Sequence, residues 1–219
     1  MKRTLVIWGA SGHAKVVADV IRLQGEYEIV GFLDDVYIER HNQKFFQSTI
    51  LGGREQLDFL QHKGVKNIIF GFGDPFARLK LSHFVQEKGF TLATAIHPHA
   101  IVADSVVVNA GTVIVAGAVI NPGTIIDENV IVNTLASVDH DCVIGEGANI
   151  GPGVHIGGNV RLGKATQVGI GATIINNIRV GSFSVIGAGS VVVKDIPDGV
   201  VAYGVPARII KKVARNDNQ

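Results

Sequence analysis

Residues 96–138 read IHPHA IVADSVVVNA GTVIVAGAVI NPGTIIDENV IVNTLASV, and this stretch decides the fold of the second half of the chain. An aliphatic residue stands at every sixth position from Ile96 to Val192, seventeen times without an insertion. A period of six fits neither an α-helix nor a plain strand alternation, but it is typical of a solenoid in which short strands alternate with turns. Three hexads form one triangular coil, so the repeat predicts a left-handed parallel β-helix over residues 96–196.

A second series, of small or β-branched residues, stands two positions before the aliphatic one. Cys142 belongs to this series, so we expect its thiol to pack in the core. Gly, Asn and Asp recur between the aliphatic positions, as in Asn121-Pro122-Gly123, and they supply turn conformations that β-branched residues resist. A β-sandwich would instead need turns about eight to twelve residues apart.

The first 95 residues show a different pattern, in which strand and helix signals alternate. Such alternation predicts βαβ units with right-handed crossovers, and hence a Rossmann-like parallel sheet. The predicted strands are Thr4–Trp8, Ile29–Leu33, Asn67–Phe72 and Phe90–Ala95, and the predicted helices are Ala14–Gln24, Arg54–Lys63 and Pro75–Lys88. We therefore expect an α/β domain over residues 1–95, the β-helix over 96–196, and a tail over 197–219 that leaves the solenoid and ends in a short helix.

Charge and cysteine content narrow the class of protein. Lys and Arg total 20 against 19 for Asp and Glu, so no net field favours nucleic acid or an anionic membrane. Asp104, Asn109 and several glycines interrupt the apolar residues 100–126, which argues against a membrane span. The chain has one cysteine and no signal-peptide pattern at its start, so we expect a cytoplasmic protein.

The first predicted strand runs into Gly9-Ala10-Ser11-Gly12-His13-Ala14 and then into a helix. This arrangement aims free backbone N–H groups and the positive end of the helix at an anion, commonly a phosphate. Asp34 and Asp35 end the second strand, where a carboxylate can hold a ribose hydroxyl or a base N–H. Tight strand-to-helix packing and solvated turn acids are the structural alternatives, but the two features together favour a nucleotide.

In the β-helix, His140 lies two residues after the inward Val138, so it faces solvent or a partner subunit. A neutral imidazole near pH 7 suits removal of a proton from an amine or hydroxyl, with Asp139 or Asp141 fixing its tautomer. One coil further on, Gly158 stacks over His140 and offers a backbone N–H for an oxyanion. An incidental turn histidine and a structural corner glycine remain the alternatives.

A metal site is not expected. The histidines in or near the repeat are His97, His99, His140 and His155, and their spacing forms no compact ligand cluster.

Five segments together resemble the bacterial sugar O- and N-acetyltransferases, a family that includes sialic acid O-acetyltransferases and enzymes acetylating the 4-amino group of nucleotide-linked amino sugars. The resemblance spans nearly the whole chain. The segments are Gly9-Ala10-Ser11-Gly12-His13-Ala14-Lys15-Val16-Val17, Gly31-Phe32-Leu33-Asp34-Asp35, Ile96-His97-Pro98, Val138-Asp139-His140-Asp141-Cys142 and Gly204-Val205-Pro206-Ala207-Arg208.

The resemblance implies that His140 is the general base, supported by Asp141. It implies a homotrimer with acetyl-CoA in the groove between adjacent β-helices and Gly158 near the thioester carbonyl. The flat aliphatic faces of a β-helix also favour a trimer, since large exposed apolar surfaces usually mark interfaces. The implied contacts of the nucleotide-sugar are Gly9, Ser11, Gly12, His13, Asp34 and Asp35, and those of the far end of CoA are Gly204, Pro206, Ala207 and Arg208.

One departure from the family pattern concerns Asn149, which stands where many relatives carry a second histidine, nine residues after the base. An Asn amide still donates a hydrogen bond to the thioester carbonyl, but it cannot carry a proton. The hypothesis that the resemblance supports is N-acetylation of a UDP-, GDP- or dTDP-linked amino-dideoxy sugar by direct attack. The alternatives are O-acetylation of a sugar hydroxyl such as that of a sialic acid, a non-catalytic nucleotide-sugar-binding trimer, and a metal-dependent hydratase.

Overall fold

The structure is a computed structural model that describes residues 2–213. Its first part is a six-stranded sheet in the order β3-β4-β2-β1-β5-β6, flanked by three α-helices. The strands are β1 (Arg3–Trp8), β2 (Tyr27–Leu33), β3 (Lys44–Phe45), β4 (Ser48–Gly52), β5 (Asn67–Phe70) and β6 (Thr91–Leu92), and the helices are α1 (Gly12–Gln24), α2 (Leu57–His62) and α3 (Pro75–Glu87).

The predicted parallel sheet is confirmed, with one addition and one altered helix. β1 lies between β2 and β5 and runs parallel to both, while β3 and β4 form an antiparallel hairpin that the sequence analysis missed. β4 nevertheless pairs with β2 in parallel and extends the sheet. The predicted helix Arg54–Lys63 begins as a 3₁₀ turn over Arg54–Gln56 before α2.

Helix α1 follows from its apolar periodicity. Its buried residues are Ala14, Val17, Ala18, Val20 and Ile21, which form one face against the sheet. The helix ends at Gly25, whose φ of 80° suits glycine and whose N–H bonds to the Ile21 carbonyl.

The second part is the left-handed parallel β-helix that the period of six predicts. Each two-residue strand pairs in parallel with the strand eighteen residues later, as Ser137 does with His155, and the strands stack into three sheets. The strands β7–β23 are Ala95–Ile96, Ile101–Val102, Val107–Val108, Val113–Ile114, Val119–Ile120, Ile125–Ile126, Ile131–Val132, Ser137–Val138, Val143–Ile144, Asn149–Ile150, His155–Ile156, Arg161–Leu162, Gln167–Val168, Thr173–Ile174, Arg179–Val180, Val185–Ile186 and Val191–Val192.

The interior of the β-helix is an aliphatic column with hydroxyl groups at its corners. The thiol of Cys142 is buried in this column, as expected. The Thr124 hydroxyl is also fully buried and donates to the Asp139 carbonyl at 2.8 Å, and Thr166 makes the equivalent bond to Gly181 at 2.9 Å. These bonds satisfy turn carbonyls that would otherwise lack a partner.

The prediction of a short helix after residue 196 is wrong for the described part of the tail. β24 (Val200–Gly204) continues a β-helix sheet by pairing in parallel with β22, and β25 (Ala207–Lys212) folds back antiparallel to β24. The physical reason is that the tail still offers inward apolar residues: Ala202 is fully buried, so pairing continues the ladder. Residues 214–219 lie outside the described residues.

The two parts pack closely against each other. One apolar cluster joins Val17 and Ile21 of α1 to Val113 and Ile131 on the first coils of the β-helix. This packing covers the first coils of one β-helix sheet. The loop after β5, at the carboxyl edge of the first sheet, lies beside the solenoid, since its Gly73 carbonyl accepts from Asn149 at 3.3 Å. Within residues 2–213, no helix is long and apolar enough to cross a membrane.

Candidate active site

His140 occupies the turn between strands β14 (Ser137–Val138) and β15 (Val143–Ile144), and its side chain is exposed. Its Nδ1 lies 2.8 Å from Oδ2 of Asp141. Because a carboxylate only accepts hydrogen bonds, Nδ1 carries the proton and Nε2 keeps a free lone pair. The sequence left open which neighbouring acid holds the ring, and the geometry assigns this contact to Asp141.

Asp139 supports the same turn through the backbone. Its Oδ1 accepts from the His140 N–H at 2.8 Å and from Nδ2 of Asn121 at 2.8 Å. The hydrogen bond that His140 donates to Asp141, with the negative charge of Asp139, raises the pKa of His140. The imidazole is therefore a stronger base than a free histidine, while its exposed side remains open to a ligand.

Gly158 lies directly against the imidazole, as the eighteen-residue coil predicts. A Cβ added at Gly158 would sit 2.7 Å from Nε2 and 2.8 Å from Cε1 of His140. Only a glycine leaves room for the ring in this position. Because the neighbouring Asn159 N–H bonds to the His140 carbonyl at 2.9 Å, the two turns are also joined through their backbones.

Cys142 is close to the site in sequence but not available to it. Its thiol is buried and bonds to the Gly157 carbonyl at 3.2 Å, and burial raises the pKa of the thiol. A neutral, buried thiol is a poor nucleophile.

Asn149 lies elsewhere on the β-helix. It begins strand β16 in the sheet that faces the N-terminal domain, whereas His140 follows a strand of a second sheet. Its Nδ2 donates to the Gly73 carbonyl at 3.3 Å. The structure thus joins Gly158 to His140 and connects Asn149 to the loop before α3.

The predicted CoA-binding tail residues form the turn between β24 and β25. Gly204 pairs with Ala207 and Tyr203 pairs with Arg208 across this hairpin. Pro206 and Arg208 are exposed, while Ala207 is buried. The hairpin extends the sheet that contains Asn149, so these residues lie further along that sheet.

The glycine-rich loop leaves the start of α1 open. Gly9 has a φ of 122° and packs so closely on Gly71 that an added Cβ would lie 3.0 Å from its backbone. By contrast, a Cβ on Gly12 would meet nothing within 4 Å, and the N-cap Ser11 makes no capping bond through its side chain. Close packing explains Gly9, but the open helix N-terminus at Ser11 and Gly12 is free to receive an anion.

His13 is turned inward from the same loop. Burial, with a smaller contribution from the positive charge of Arg78, lowers the pKa of His13 to about 4. The imidazole is therefore neutral at physiological pH. Its Nε2 is buried without a hydrogen-bond partner within the described chain.

Asp34 and Asp35 both hold the loops at the carboxyl edge of the sheet. Oδ1 of Asp34 accepts from the N–H groups of Val36 and Tyr37, at 2.9 and 3.2 Å. Asp35 receives two bonds from the Arg54 side chain, at 2.7 and 2.9 Å. The sequence analysis missed Arg54, and no sequence signal marks it, because only the pairing of β4 with β2 brings it beside Asp35.

No group of three or more His, Cys, Asp or Glu residues that could hold a metal ion occurs among residues 2–213.

Comparison with known proteins identifies this arrangement. Residues 4–85 match the family model described as the PglD N-terminal domain. The structure of PerB from Caulobacter crescentus in complex with CoA and GDP-perosamine is 36% identical, with a TM-score of 0.90, covering 94% of this chain and 97% of that one.

Two further structures are similar over nearly their full length. The acetyltransferase domain of PglB from Neisseria gonorrhoeae FA1090, in complex with acetyl coenzyme A, is 37% identical with a TM-score of 0.89, covering 96% of this chain and 100% of that one. WeeI from Acinetobacter baumannii AYE, at 24% identity, a TM-score of 0.84 and coverage of 95% and 100%, shares the fold. The chain therefore belongs to the family of acetyl-CoA-dependent, nucleotide-linked amino-sugar N-acetyltransferases.

Proposed function

We propose that this enzyme transfers the acetyl group of acetyl-CoA to the 4-amino group of a nucleotide-linked amino-dideoxy sugar, with His140 as the general base. The observation that carries this proposal is the His140 ring itself: Asp141 fixes the proton on Nδ1, and Nε2 is left unprotonated and exposed above Gly158. An imidazole held in one tautomer is the arrangement that general-base catalysis requires.

The reaction proceeds by direct attack. Nε2 of His140 takes a proton from the acceptor amine while the amine nitrogen forms a bond to the thioester carbonyl carbon. The backbone N–H of Gly158 donates to the carbonyl oxygen as it becomes an oxyanion. The C–S bond then breaks and CoA leaves as a thiolate. His140 passes the proton that it took from the amine to the thiolate sulfur.

The substrates are assigned to two regions of the molecule. The open start of α1 at Ser11 and Gly12 takes the diphosphate, Gly9 and His13 complete the same loop, and Asp34 and Asp35 border the nucleoside. This assignment is supported by PerB, a relative whose structure contains GDP-perosamine.

Acetyl-CoA binds, in this proposal, in a groove between adjacent β-helices of a homotrimer. Gly158 and Asn149 face the thioester, and Gly204, Pro206, Ala207 and Arg208 hold the nucleotide end. Exposed apolar side chains on the β-helix support an assembly, since Ile101 is 66% exposed and Val107 is 50% exposed. A trimer also brings Asn149 of one subunit toward His140 of another, which a single chain keeps on separate sheets.

The test is release of free CoA thiol from acetyl-CoA in the presence of candidate acceptors. UDP-, GDP- and dTDP-linked 4-amino-4,6-dideoxy sugars are compared with free sialic acid, and a His140→Ala variant is the control. Turnover with one nucleotide-linked amine that H140A loses supports the proposal. Activity with sialic acid alone indicates O-acetylation, and undiminished turnover by H140A overturns the role of the base.

A further inference from the structure

A buried arginine lies at the junction of the two domains. Arg78 of helix α3 is only 1% exposed. Its guanidinium donates to the carbonyls of Gly73 at 2.6 Å, Gly147 at 2.7 Å and Asn129 at 3.2 Å. Gly73 belongs to the loop at the carboxyl edge of the first sheet, whereas the other two carbonyls belong to successive coils of the β-helix.

The guanidinium has no carboxylate hydrogen-bond partner among the described residues. Burial lowers the pKa of Arg78 to about 10, so the group remains charged at neutral pH. The negative charge of Asp74 opposes this lowering, but a buried charge that forms no hydrogen-bonded ion pair is costly and is retained only where its other hydrogen bonds are well satisfied. Carbonyl dipoles from three separate segments satisfy this one, because the rigid fork of arginine reaches all of them at once.

The Gly73 carbonyl has a second donor, the Nδ2 of Asn149 at 3.3 Å. A carboxamide has a donor end and an acceptor end of nearly equal shape, and a carbonyl accepts only from the donor end. The Gly73 carbonyl therefore selects one of the two orientations of the Asn149 amide. Oδ1 of Asn149 is buried without a hydrogen-bond partner in the described chain, so no other protein bond sets this orientation.

We propose that Arg78 is a positioning residue that acts on acetyl transfer through the Gly73 carbonyl and the Asn149 amide. This inference rests on the proposed function, in which Asn149 faces the thioester. With one Nδ2 proton bound to Gly73, the second proton points a donor at the thioester carbonyl, whereas the reversed amide presents an oxygen to an oxygen. Arg78 fixes the Gly73 carbonyl, and the carbonyl fixes the amide.

A purely structural role for Arg78 is the competing explanation, because other contacts also attach α3 to the β-helix. The ring of Phe76, on the first turn of α3, stacks on Phe183 with centroids 5.7 Å apart and an interplanar angle of 14°. This aromatic pair joins the same two elements and forms no hydrogen bond to Gly73. Phe76→Leu is therefore a matched control that weakens docking of α3 and leaves the carbonyl in place.

The experiment is a double-mutant cycle between Arg78→Lys and Asn149→Ala, measured as kcat and KM for both substrates. We expect each single variant to lower kcat about 10-fold with KM changed less than about 2-fold, since the chemical step loses an oriented donor. The double variant is expected to lose about 10-fold as well, because both changes remove the same interaction. Phe76→Leu is expected to lower the melting temperature and leave kcat within about 2-fold of the unmodified enzyme.

Losses that multiply to about 100-fold in the double variant overturn the coupling, as does a kcat loss in F76L equal to that in R78K. A second readout is independent of turnover: NMR of the Asn149 side-chain amide, assigned by its absence in N149A. One amide proton is expected to be hydrogen-bonded in the unmodified enzyme and in F76L, and to lose this signature in R78K. An unchanged amide in R78K overturns the inference, whereas silence of the unmodified enzyme with every nucleotide-linked amine overturns only the proposed function.

Discussion

Replacing Gly158 by alanine tests the contact between this residue and His140. Gly158 does not have a left-handed φ, so alanine suits its backbone, and the three nearest atoms to the new methyl group belong to the His140 ring, at 2.7, 2.8 and 3.3 Å. An ordinary contact requires about 3.4 Å, so the ring must move by roughly 0.7 Å. The ring is exposed and free to move, which makes the change in folding free energy small, within about 0.5 kcal/mol.

The catalytic effect is expected to be much larger than the effect on stability. A misplacement of about 1 Å in a reacting group costs on the order of 10²-fold in rate, and general-base catalysis contributes about 10²–10⁴-fold. We therefore expect kcat of G158A to fall roughly 30- to 100-fold by the thiol-release assay. The backbone N–H survives the substitution, so the oxyanion donor is retained.

The control is the same substitution in a His140→Ala background. Because the three nearest atoms to the methyl group all belong to the His140 ring, G158A is expected to cost little further once the ring is absent. Equal losses in both backgrounds would falsify the steric explanation. A large loss of CoA affinity in G158A would instead place the effect in the binding groove.

Three further predictions concern the turn, the base and the core. Thr124→Val removes the hydroxyl beneath the turn that holds His140, so we expect a loss of about 1–3 kcal/mol in denaturant unfolding together with a lower kcat. Thr166→Val removes the equivalent bond elsewhere and should cost similar stability with kcat unchanged. An equal kcat loss in both variants would contradict this assignment. Asp141→Asn keeps a residue that tolerates the φ of 58° but replaces the carboxylate that raises the pKa of His140, mainly through its hydrogen bond and less through its charge, so the acidic limb of the pH–rate profile should move to lower pH and kcat should fall. An unmoved acidic limb argues against the Asp141 contact. Ile126→Ala empties a fully buried position and is expected to cost about 2–5 kcal/mol in urea unfolding, a cost below about 1 kcal/mol being incompatible with the packed column.

The β-helix could be predicted almost residue by residue because its contacts repeat at a constant sequence separation. Each inward side chain meets the residue eighteen positions later, as Val138 meets Ile156, so one local pattern determines both the core and the turns. The same rule predicted that Gly158 lies on His140. The first strand and α1 could be predicted equally well, since a buried strand, a glycine turn and an amphipathic helix all have local sequence signals.

Other features were decided only by the tertiary structure. The tail was predicted to end in a short helix, but its described part forms a hairpin. The open edge of a β-helix sheet pairs with β24, and burial of Ala202 stabilises this pairing. Similarly, Asp35 and Arg54 come together only because β4, a strand of the hairpin that the sequence did not predict, pairs with β2.

The sequence alone therefore determined the β-helix, the glycine-rich turn before α1 and the contact of Gly158 with His140, because each depends on residues in a fixed local or eighteen-residue spacing. The connection between the domains depends on separations of 51, 69 and 76 residues, between Arg78 and Asn129, Arg78 and Gly147, and Gly73 and Asn149. No periodicity encodes such pairs, since they arise from the packing of one domain on another. Only the folded chain shows that the Arg78 guanidinium and the Asn149 amide both donate to the Gly73 carbonyl.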